Sequence, residues 1–236
     1  MVGTSNVAER LTDVRTRIAQ AAGRAGRQAD DVRLIAVSKT VPLDRIQLAV
    51  AAGVTDLGEN RVQEAEAKIP ELLAAPRPRW HLIGHLQSNK ARRALELFDV
   101  IQSVDSLALA ELLSRRLATR TAPGGTVEVL FEVNVAGEAS KQGFAPDQLL
   151  DAAPALAVLP GLQPRGLMTV APATQNPEEV RWVFQSLRQL RDRVVDRMRG
   201  VDMRELSMGM SHDFPIAVEE GATMVRIGSA VFGERQ

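Results

Sequence analysis

Residues Arg33-Leu34-Ile35-Ala36-Val37-Ser38 form a short apolar run that is bounded by polar residues and followed by Pro42. The run is too short for a typical helix and rich in branched residues, which is typical of a buried strand. A helical pattern follows over residues 43–52, and this strand-then-helix unit recurs along the chain. The recurrence predicts strands at residues 33–38, 54–58, 80–84, 99–102, 126–134, 164–170, 204–208 and 222–227, each except the last followed by a well-formed helix.

This alternation decides the fold class. Strands that alternate with helices form a parallel sheet with helical crossovers, and eight such units in 236 residues suit a closed (β/α)8 TIM barrel. An open doubly wound sheet is the competing architecture, but no Gly-x-Gly-x-x-Gly follows any strand. An extra amphipathic helix over residues 6–22 precedes the first strand. The sequence therefore predicts an α/β chain with a single domain over residues 1–236.

Composition excludes several classes of function. The chain has 29 basic and 29 acidic residues, so its net charge gives no bulk reason to bind nucleic acid or an anionic membrane. It has no cysteine, which excludes disulfides, thiolate catalysis and cysteine-ligated metals. No stretch approaches the roughly 18 apolar residues of a membrane span, and the N-terminus does not resemble a signal peptide. We expect a soluble, cytoplasmic protein.

Lys39 is the first residue that points to chemistry. It follows the first predicted strand, and in a barrel the residues at the carboxyl ends of strands form the functional site. It is also one of only four lysines in the chain. Desolvation in a barrel mouth favours the neutral amine, which is the nucleophile that forms a Schiff base with an aldehyde. The alternative is a lysine that reaches solvent or pairs with a carboxylate such as Glu59.

The loops after the seventh and eighth strands are a candidate phosphate site. Barrels commonly bind phosphate there through backbone N–H groups and hydroxyls. The first loop, residues 207–213, offers hydroxyls and a glycine that permits close backbone approach, and the second loop covers residues 226–229. The candidate residues are Ser207, Ser211, Gly228 and Ser229. The alternative is two ordinary turns in which Ser211 or Asp213 caps a helix.

Arg226 lies within an otherwise apolar strand, so its charge must be matched. One interpretation is an outward arginine that pairs with Glu219 or Glu220. The other is a guanidinium that faces an acceptor such as a pyridine nitrogen. Because arginine stays protonated, that nitrogen would stay unprotonated, and the ring would be a weak electron sink. Such a site would bind a cofactor well and catalyse poorly.

Three further strand-end residues are candidates. Asn60 either caps the next helix or donates to a cofactor hydroxyl, His85 is a candidate for lining the pocket, and Met168 ends the sixth strand. His81 and His85 straddle a strand end, and no third ligand joins them at a recognisable spacing, so no metal site is predicted.

Taken together, these stretches resemble the pyridoxal 5′-phosphate homeostasis protein family. The resemblance runs from the first strand to the last, through residues 36–39, 58–64, 80–90, 166–168, 207–211 and 225–229. It implies a barrel like the N-terminal domain of alanine racemase, with pyridoxal 5′-phosphate (PLP) held as a Schiff base on Lys39. It also implies that Arg226 faces the pyridine ring and that Ser207, Gly228 and Ser229 belong to the phosphate-binding region.

The resemblance implies a PLP-binding protein that stores, buffers or delivers the cofactor, with no catalytic residues, and with PLP-dependent apoenzymes as possible transient partners. A PLP-dependent amino-acid racemase is the alternative. Racemisation needs acid–base groups on both faces of the cofactor, and the tyrosine that alanine racemases use cannot come from a chain with no tyrosine. A barrel that binds a sugar phosphate, with Lys39 as an aldolase-type lysine, ranks third. We expect a monomer.

Overall fold

The structure is a computed structural model that describes residues 5–72, 76–119 and 125–233. Its strands are β1 (Arg33–Val37), β2 (Asp56–Glu59), β3 (Arg79–Leu82), β4 (Val100–Val104), β5 (Val127–Glu132), β6 (Leu162–Met168), β7 (Glu205–Ser207) and β8 (Met224–Ile227). They pair in parallel and in sequence order, and β8 pairs with β1, so the sheet is a closed barrel. The predicted (β/α)8 architecture is confirmed.

Helices surround the barrel and bury one face each against it. They are α1 (Ser5–Arg24), α2 (Leu43–Ala51), α3 (Val62–Lys68), α4 (Ala91–Leu97), α5 (Leu107–Ala118), α6 (Pro146–Leu156), α7 (Arg181–Arg197), α8 (Phe214–Glu219) and α9 (Ser229–Phe232). In α7, Val183, Leu187, Leu190 and Val194 recur at helical spacing, and all four are buried. Within the described ranges, no helix is both long and apolar enough to cross a membrane.

The extra N-terminal helix completes the helical layer. Predicted over residues 6–22, α1 runs from Ser5 to Arg24 and buries Val7, Leu11, Val14 and Ile18. It packs against α2, α8 and α9. The helix predicted after the seventh strand is short, since α8 has six residues, and a four-residue helix, α9, follows β8, where none was predicted. The α1 helix covers the surface that these two short helices leave open.

The strand boundaries differ from the prediction by one or two residues, as two strands illustrate. The strand predicted at 54–58 begins at Asp56, because the Val54 amide donates to the carbonyl of Ala49 at the end of α2 and is not available to the sheet. The strand predicted at 164–170 begins at Leu162, which pairs with Val127 of β5.

The barrel interior is partly apolar and partly polar. Ile35, Val100, Leu130, Met168 and Met224 form an apolar cluster inside it. Because side chains alternate along a strand, the residues between them face the helices. Polar side chains fill much of the remaining interior, beneath the end of the barrel at which the carboxyl ends of the strands meet. We call this end of the barrel the mouth. The buried polar residues there include Asp56, His81, Gln102, Ser207 and Arg226.

Candidate cofactor-binding site

Lys39 lies at the mouth, two residues beyond the end of β1. Within β1, Ile35 points into the barrel, opposite Arg226 of β8 in the parallel ladder. Ser38 turns outward, and its hydroxyl donates to Oε1 of Glu59 over 2.8 Å. Lys39 comes next and is half-buried. The alternation of the strand therefore directs Lys39 and Arg226 to the same end of the barrel.

Arg226 is a buried cation inside the mouth, with 4% of its surface exposed. One terminal nitrogen donates to the Ser207 hydroxyl and the other to the Thr169 carbonyl, both over 2.7 Å. Burial lowers the pKa of Arg226 to about 10, although the negative charges of Glu132 and Asp213 act to raise it. The guanidinium therefore stays protonated at neutral pH. Two of its five N–H groups are used in these bonds, and the described residues offer no acceptor to the others.

The outward interpretation of Arg226 is wrong, because Glu219 and Glu220 have other partners. Arg181 donates to both carboxylates, each over 2.7 Å. Similarly, the carboxylate of Glu59 pairs with Lys68 over 2.7 Å. Glu59, the alternative partner that the sequence offers to Lys39, is thus bonded to Lys68.

A chain of buried side chains runs from Arg226 down into the barrel. The Ser207 hydroxyl donates to Oε1 of Gln102 over 2.6 Å. The Gln102 amide lies 3.0 Å from Nδ1 of His81, and Nε2 of His81 lies 2.8 Å from Oδ1 of Asp56. We call Ser207, Gln102, His81 and Asp56 the interior relay.

The direction of each hydrogen bond in the interior relay follows from the protonation states of Asp56 and His81. Burial raises the pKa of Asp56, but the hydrogen bonds from His81 and Thr55 and the charge of Arg33 outweigh it, so the net pKa is lowered and Asp56 is ionised. Burial lowers the pKa of His81, so its ring is neutral. An ionised Asp56 requires the proton on Nε2 of His81, and Nδ1 then accepts from Gln102. Each donor in the relay meets an acceptor.

Ser207 lies deeper than the other residues predicted for the phosphate. Its side chain is fully buried below the mouth, where it donates to Gln102 and accepts from Arg226. This hydroxyl therefore supports Arg226. Strand alternation was the available signal, since Ser207 is the last residue of β7 and faces inward.

The loops after β7 and β8 meet each other at the mouth. Gly209 has φ +91° and passes so close to α8 that an added Cβ would lie 2.6 Å from Cβ of Ala217. Its carbonyl accepts from the Arg226 amide over 3.0 Å, and the Ser211 hydroxyl accepts from the Ala230 amide over 3.3 Å. These bonds hold the two loops together as one surface.

Gly228 and Ser229 lie beside the end of β1. A Cβ added to Gly228 would meet Cβ of Val37 at 3.6 Å, which is ordinary contact distance. Ser229 is exposed and Ser211 is half-buried. The structure thus brings three of the predicted phosphate residues, Ser211, Gly228 and Ser229, to the rim of the mouth near Lys39.

The remaining candidates occupy different depths. Asn60 is half-buried after β2, with Gly84 packed so closely that an added Cβ would lie 2.4 Å from the Asn60 carbonyl oxygen. Met168 is fully buried in the interior cluster and forms part of the floor of the mouth. His85 is exposed, pairs with Asp105 over 3.0 Å, and lines a cavity of about 410 Å³ between the loops that follow β3, β4 and β5.

Glu132 is a group at the mouth that sequence reasoning missed. It ends β5 two residues after the inward Leu130, and it is half-buried. Burial raises its pKa to about 7; the charge of Arg226 opposes this shift, Asp105 adds to it and His85 opposes it. The signal that could have identified Glu132 is an acidic residue at the end of a strand, two positions after an inward-facing apolar residue.

The two neighbouring histidines do not form a metal site. His81 is inside the barrel on Asp56, whereas His85 is at the rim on Asp105. In the part of the chain that the structure describes, no three histidine or acidic side chains gather as metal ligands would.

Comparisons with known proteins agree with this geometry. The family profile described as the alanine racemase N-terminal domain matches residues 10–236. The Pseudomonas aeruginosa pyridoxal phosphate homeostasis protein is 45% identical over 98% of this chain and 96% of its own length.

Two solved structures have the same fold. PipY of Synechococcus elongatus, solved with PLP bound, has a TM-score of 0.84 and 41% identity, over 96% of this chain and 100% of that chain. The alanine racemase of Corynebacterium glutamicum has a TM-score of 0.74 at 17% identity, over 99% of this chain and 62% of its own. This second likeness shows the fold alone.

Proposed function

The chain belongs to the pyridoxal phosphate homeostasis protein family, and we propose that it binds PLP at the barrel mouth, through Lys39, and takes part in the homeostasis of that cofactor. In the proposed reaction the Lys39 amine adds to the cofactor aldehyde, and loss of one water leaves a C=N bond. One observation carries the proposal: Arg226 is a buried cation with N–H groups to spare, in the mouth that also holds Lys39.

The residues of the mouth fit each part of PLP. The ring nitrogen is an acceptor, and Arg226 offers donors that have no acceptor among the described residues. The phosphate is an anion, and Ser211, Gly228 and Ser229 offer hydroxyls and backbone at the rim. Asn60 and His85 would line the far side, above a floor that includes Met168. When bound, PLP supplies an aldehyde for a Schiff base and an electron-accepting ring.

We propose that the chain catalyses little. A permanently protonated Arg226 keeps the ring nitrogen unprotonated and so weakens the ring as an electron sink. The chain also has no tyrosine to act as the second acid–base group of a racemase. The comparisons give the racemase alternative no support, because the likeness to alanine racemases shows the fold alone.

The test is the visible absorption spectrum of the purified protein, before and after borohydride, with peptide mapping of the reduced adduct. We expect an imine band that borohydride removes and an adduct on Lys39. Lys39→Ala should lose covalent retention while Lys90→Ala, another lysine of the chain, keeps it. No band after PLP is added would contradict the proposal and favour the sugar-phosphate barrel, whereas an adduct on another lysine would overturn the role of Lys39.

The proposal also includes a monomeric chain, one domain over residues 1–236, and transient transfer to cytoplasmic PLP-dependent apoenzymes. Light scattering on a size-exclusion column measures the mass, which we expect to equal that of one 25.6 kDa chain. Mixing the loaded protein with a PLP-dependent apoenzyme, and measuring recovery of that enzyme's activity against free PLP, tests transfer.

A further inference from the structure

Two side chains of α3 hold the backbone on either side of Lys39. The Lys68 ammonium donates to the carbonyl of Ser38 over 2.7 Å. The Glu64 carboxylate accepts from the amide of Thr40 over 2.9 Å. Lys68 and Glu64 are four residues apart and therefore lie on the same face of the helix. The residue between the two held positions is Lys39.

The backbone that α3 holds has an uncommon conformation. Thr40 has φ +59°, and it is the only non-glycine residue with positive φ in the described ranges. A β-branched residue rarely adopts this left-handed conformation, and surrounding contacts must enforce it. The bond from the Thr40 amide to Glu64 is one such contact. The turn after β1 is therefore imposed from α3 and is not the local preference of the sequence.

Lys68 is itself firmly anchored. Its ammonium donates to Oε1 of Glu59 over 2.7 Å, and the Ser38 hydroxyl donates to the same oxygen over 2.8 Å. Glu59 is fully buried, and the Lys68 side chain is only 15% exposed. Burial raises the pKa of Glu59, and the hydrogen bond from Lys68 opposes that shift. Removing either partner of a buried pair of this kind leaves an uncompensated charge, which is strongly destabilising.

We propose that Lys68 and Glu64 are positioning residues for Lys39. They fix the turn of residues 38–40 so that the Lys39 side chain rises from the end of β1 into the mouth. This role rests on the proposed function, in which the Lys39 amine must meet the cofactor aldehyde. Misplacement of a reacting group by about 1 Å can slow a reaction about a hundredfold, so the effect should be kinetic.

The experiment measures two quantities on the full chain. The first is the rate at which the imine band forms after mixing with PLP. The second is the affinity for pyridoxine 5′-phosphate, which has the ring and the phosphate but no aldehyde. Removing Lys68 alone would leave the buried Glu59 charge unpaired and endanger the fold. The variants are therefore Glu64→Ala and the double variant Lys68→Met/Glu59→Gln, which removes both charges of the pair.

Both variants should fold, bind pyridoxine 5′-phosphate like the original protein, and form the imine at least about tenfold more slowly. Adding Thr40→Gly to Glu64→Ala should restore part of the rate, because glycine adopts positive φ without enforcement. Glu66→Ala is the matched control, since Glu66 lies on α3 but pairs with Arg93, and its rate should not change.

Three results would overturn the role of α3: an unchanged imine rate in both folded variants, an equal loss of analogue affinity and imine rate, or variants that do not fold. The second and third would show that the contacts serve only the structure. If the original protein forms no imine at all, it is the proposed function that fails.

Discussion

The Ser207 hydroxyl donates a 2.6 Å hydrogen bond to Oε1 of Gln102, while its oxygen accepts from Arg226 over 2.7 Å. Gln102 has a side-chain amide with a carbonyl at one end and an NH₂ at the other, so this bond fixes which end faces His81. The Ser207 hydroxyl thereby links the orientation of Arg226 to that of Gln102 inside the barrel. Gln102 therefore positions Arg226 without touching it.

Replacing Gln102 tests this connection. Gln102→Leu keeps the volume but leaves the Ser207 hydroxyl and Nδ1 of His81 without their partner, and a buried unsatisfied polar group costs about 1–3 kcal/mol. We expect the free energy of unfolding in urea to fall by about 2–4 kcal/mol and PLP to dissociate faster. Gln63→Leu makes the same change at an exposed position of α3, and we expect less than about 0.5 kcal/mol there. Equal effects at the two positions would contradict the interior relay.

The protonation state of His81 can be read directly by ¹⁵N NMR, because the chain has only three histidines. We expect a neutral ring at neutral pH, with its proton on Nε2. The unfolded histidine takes up a proton as the pH falls through its ordinary value of 6.5, whereas burial makes the folded one take it up only at a lower pH. His81 therefore costs stability as the pH falls below 6.5. A ring that titrates near 6.5 would exclude the proposed hydrogen-bond directions.

Glu132 should give the opposite dependence on pH. Its pKa in the folded protein is about 7, against an ordinary value of 4.5, so the folded state keeps a proton that the unfolded state loses. Stability falls as the pH rises from 4.5 to 7 and is then constant. Glu132→Gln should remove this loss and raise the free energy of unfolding of the cofactor-free protein by roughly 3 kcal/mol at pH 8, with little change at pH 4.5. The same gain at both pH values would show that ionisation is not the cause.

The packing of α1 predicts that a substitution far from the mouth lowers the free energy of unfolding strongly. Leu11 is fully buried, and α1 is the helix that covers the barrel beside α8 and α9. Leu11→Ala should lower the free energy of unfolding by about 3 kcal/mol, the usual cost of a cavity in a core. Gln20→Ala on the exposed face of the same helix is the control and should change it by less than about 0.5 kcal/mol. If the two substitutions cost the same, α1 is not part of the core.

The sequence was sufficient for the barrel because its signals are local. Short apolar runs such as residues 33–38 mark strands buried on both faces, and their strict alternation with helices leaves few architectures. The strand-end rule then selects Lys39 and Arg226 without knowledge of any partner. The lengths of α8 and α9 were not accessible in this way, because they depend on the space that α1 occupies.

The partners of polar side chains were harder to predict. Glu59 has Lys39 and Lys68 as possible cations, and only the three-dimensional arrangement shows that Lys68 pairs with it. His81 and Gln102 meet although 21 residues separate them, because they face inward from neighbouring strands. Ser207 resembles any other serine at a strand end, and only strand alternation shows that its side chain points into the barrel.

Closure of the barrel between β8 and β1 has a consequence for synthesis. Lys39 follows the first strand to leave the ribosome, and Arg226 lies in the last, so translation makes the two halves of the mouth far apart in time. A nascent chain that stops after β7 exposes the lysine without the guanidinium or the second loop beside it. Under the proposed function, capture of the aldehyde at Lys39 therefore waits for the final strand. Cofactor colour on the protein would then report completed translation and folding, and a truncated chain would stay colourless.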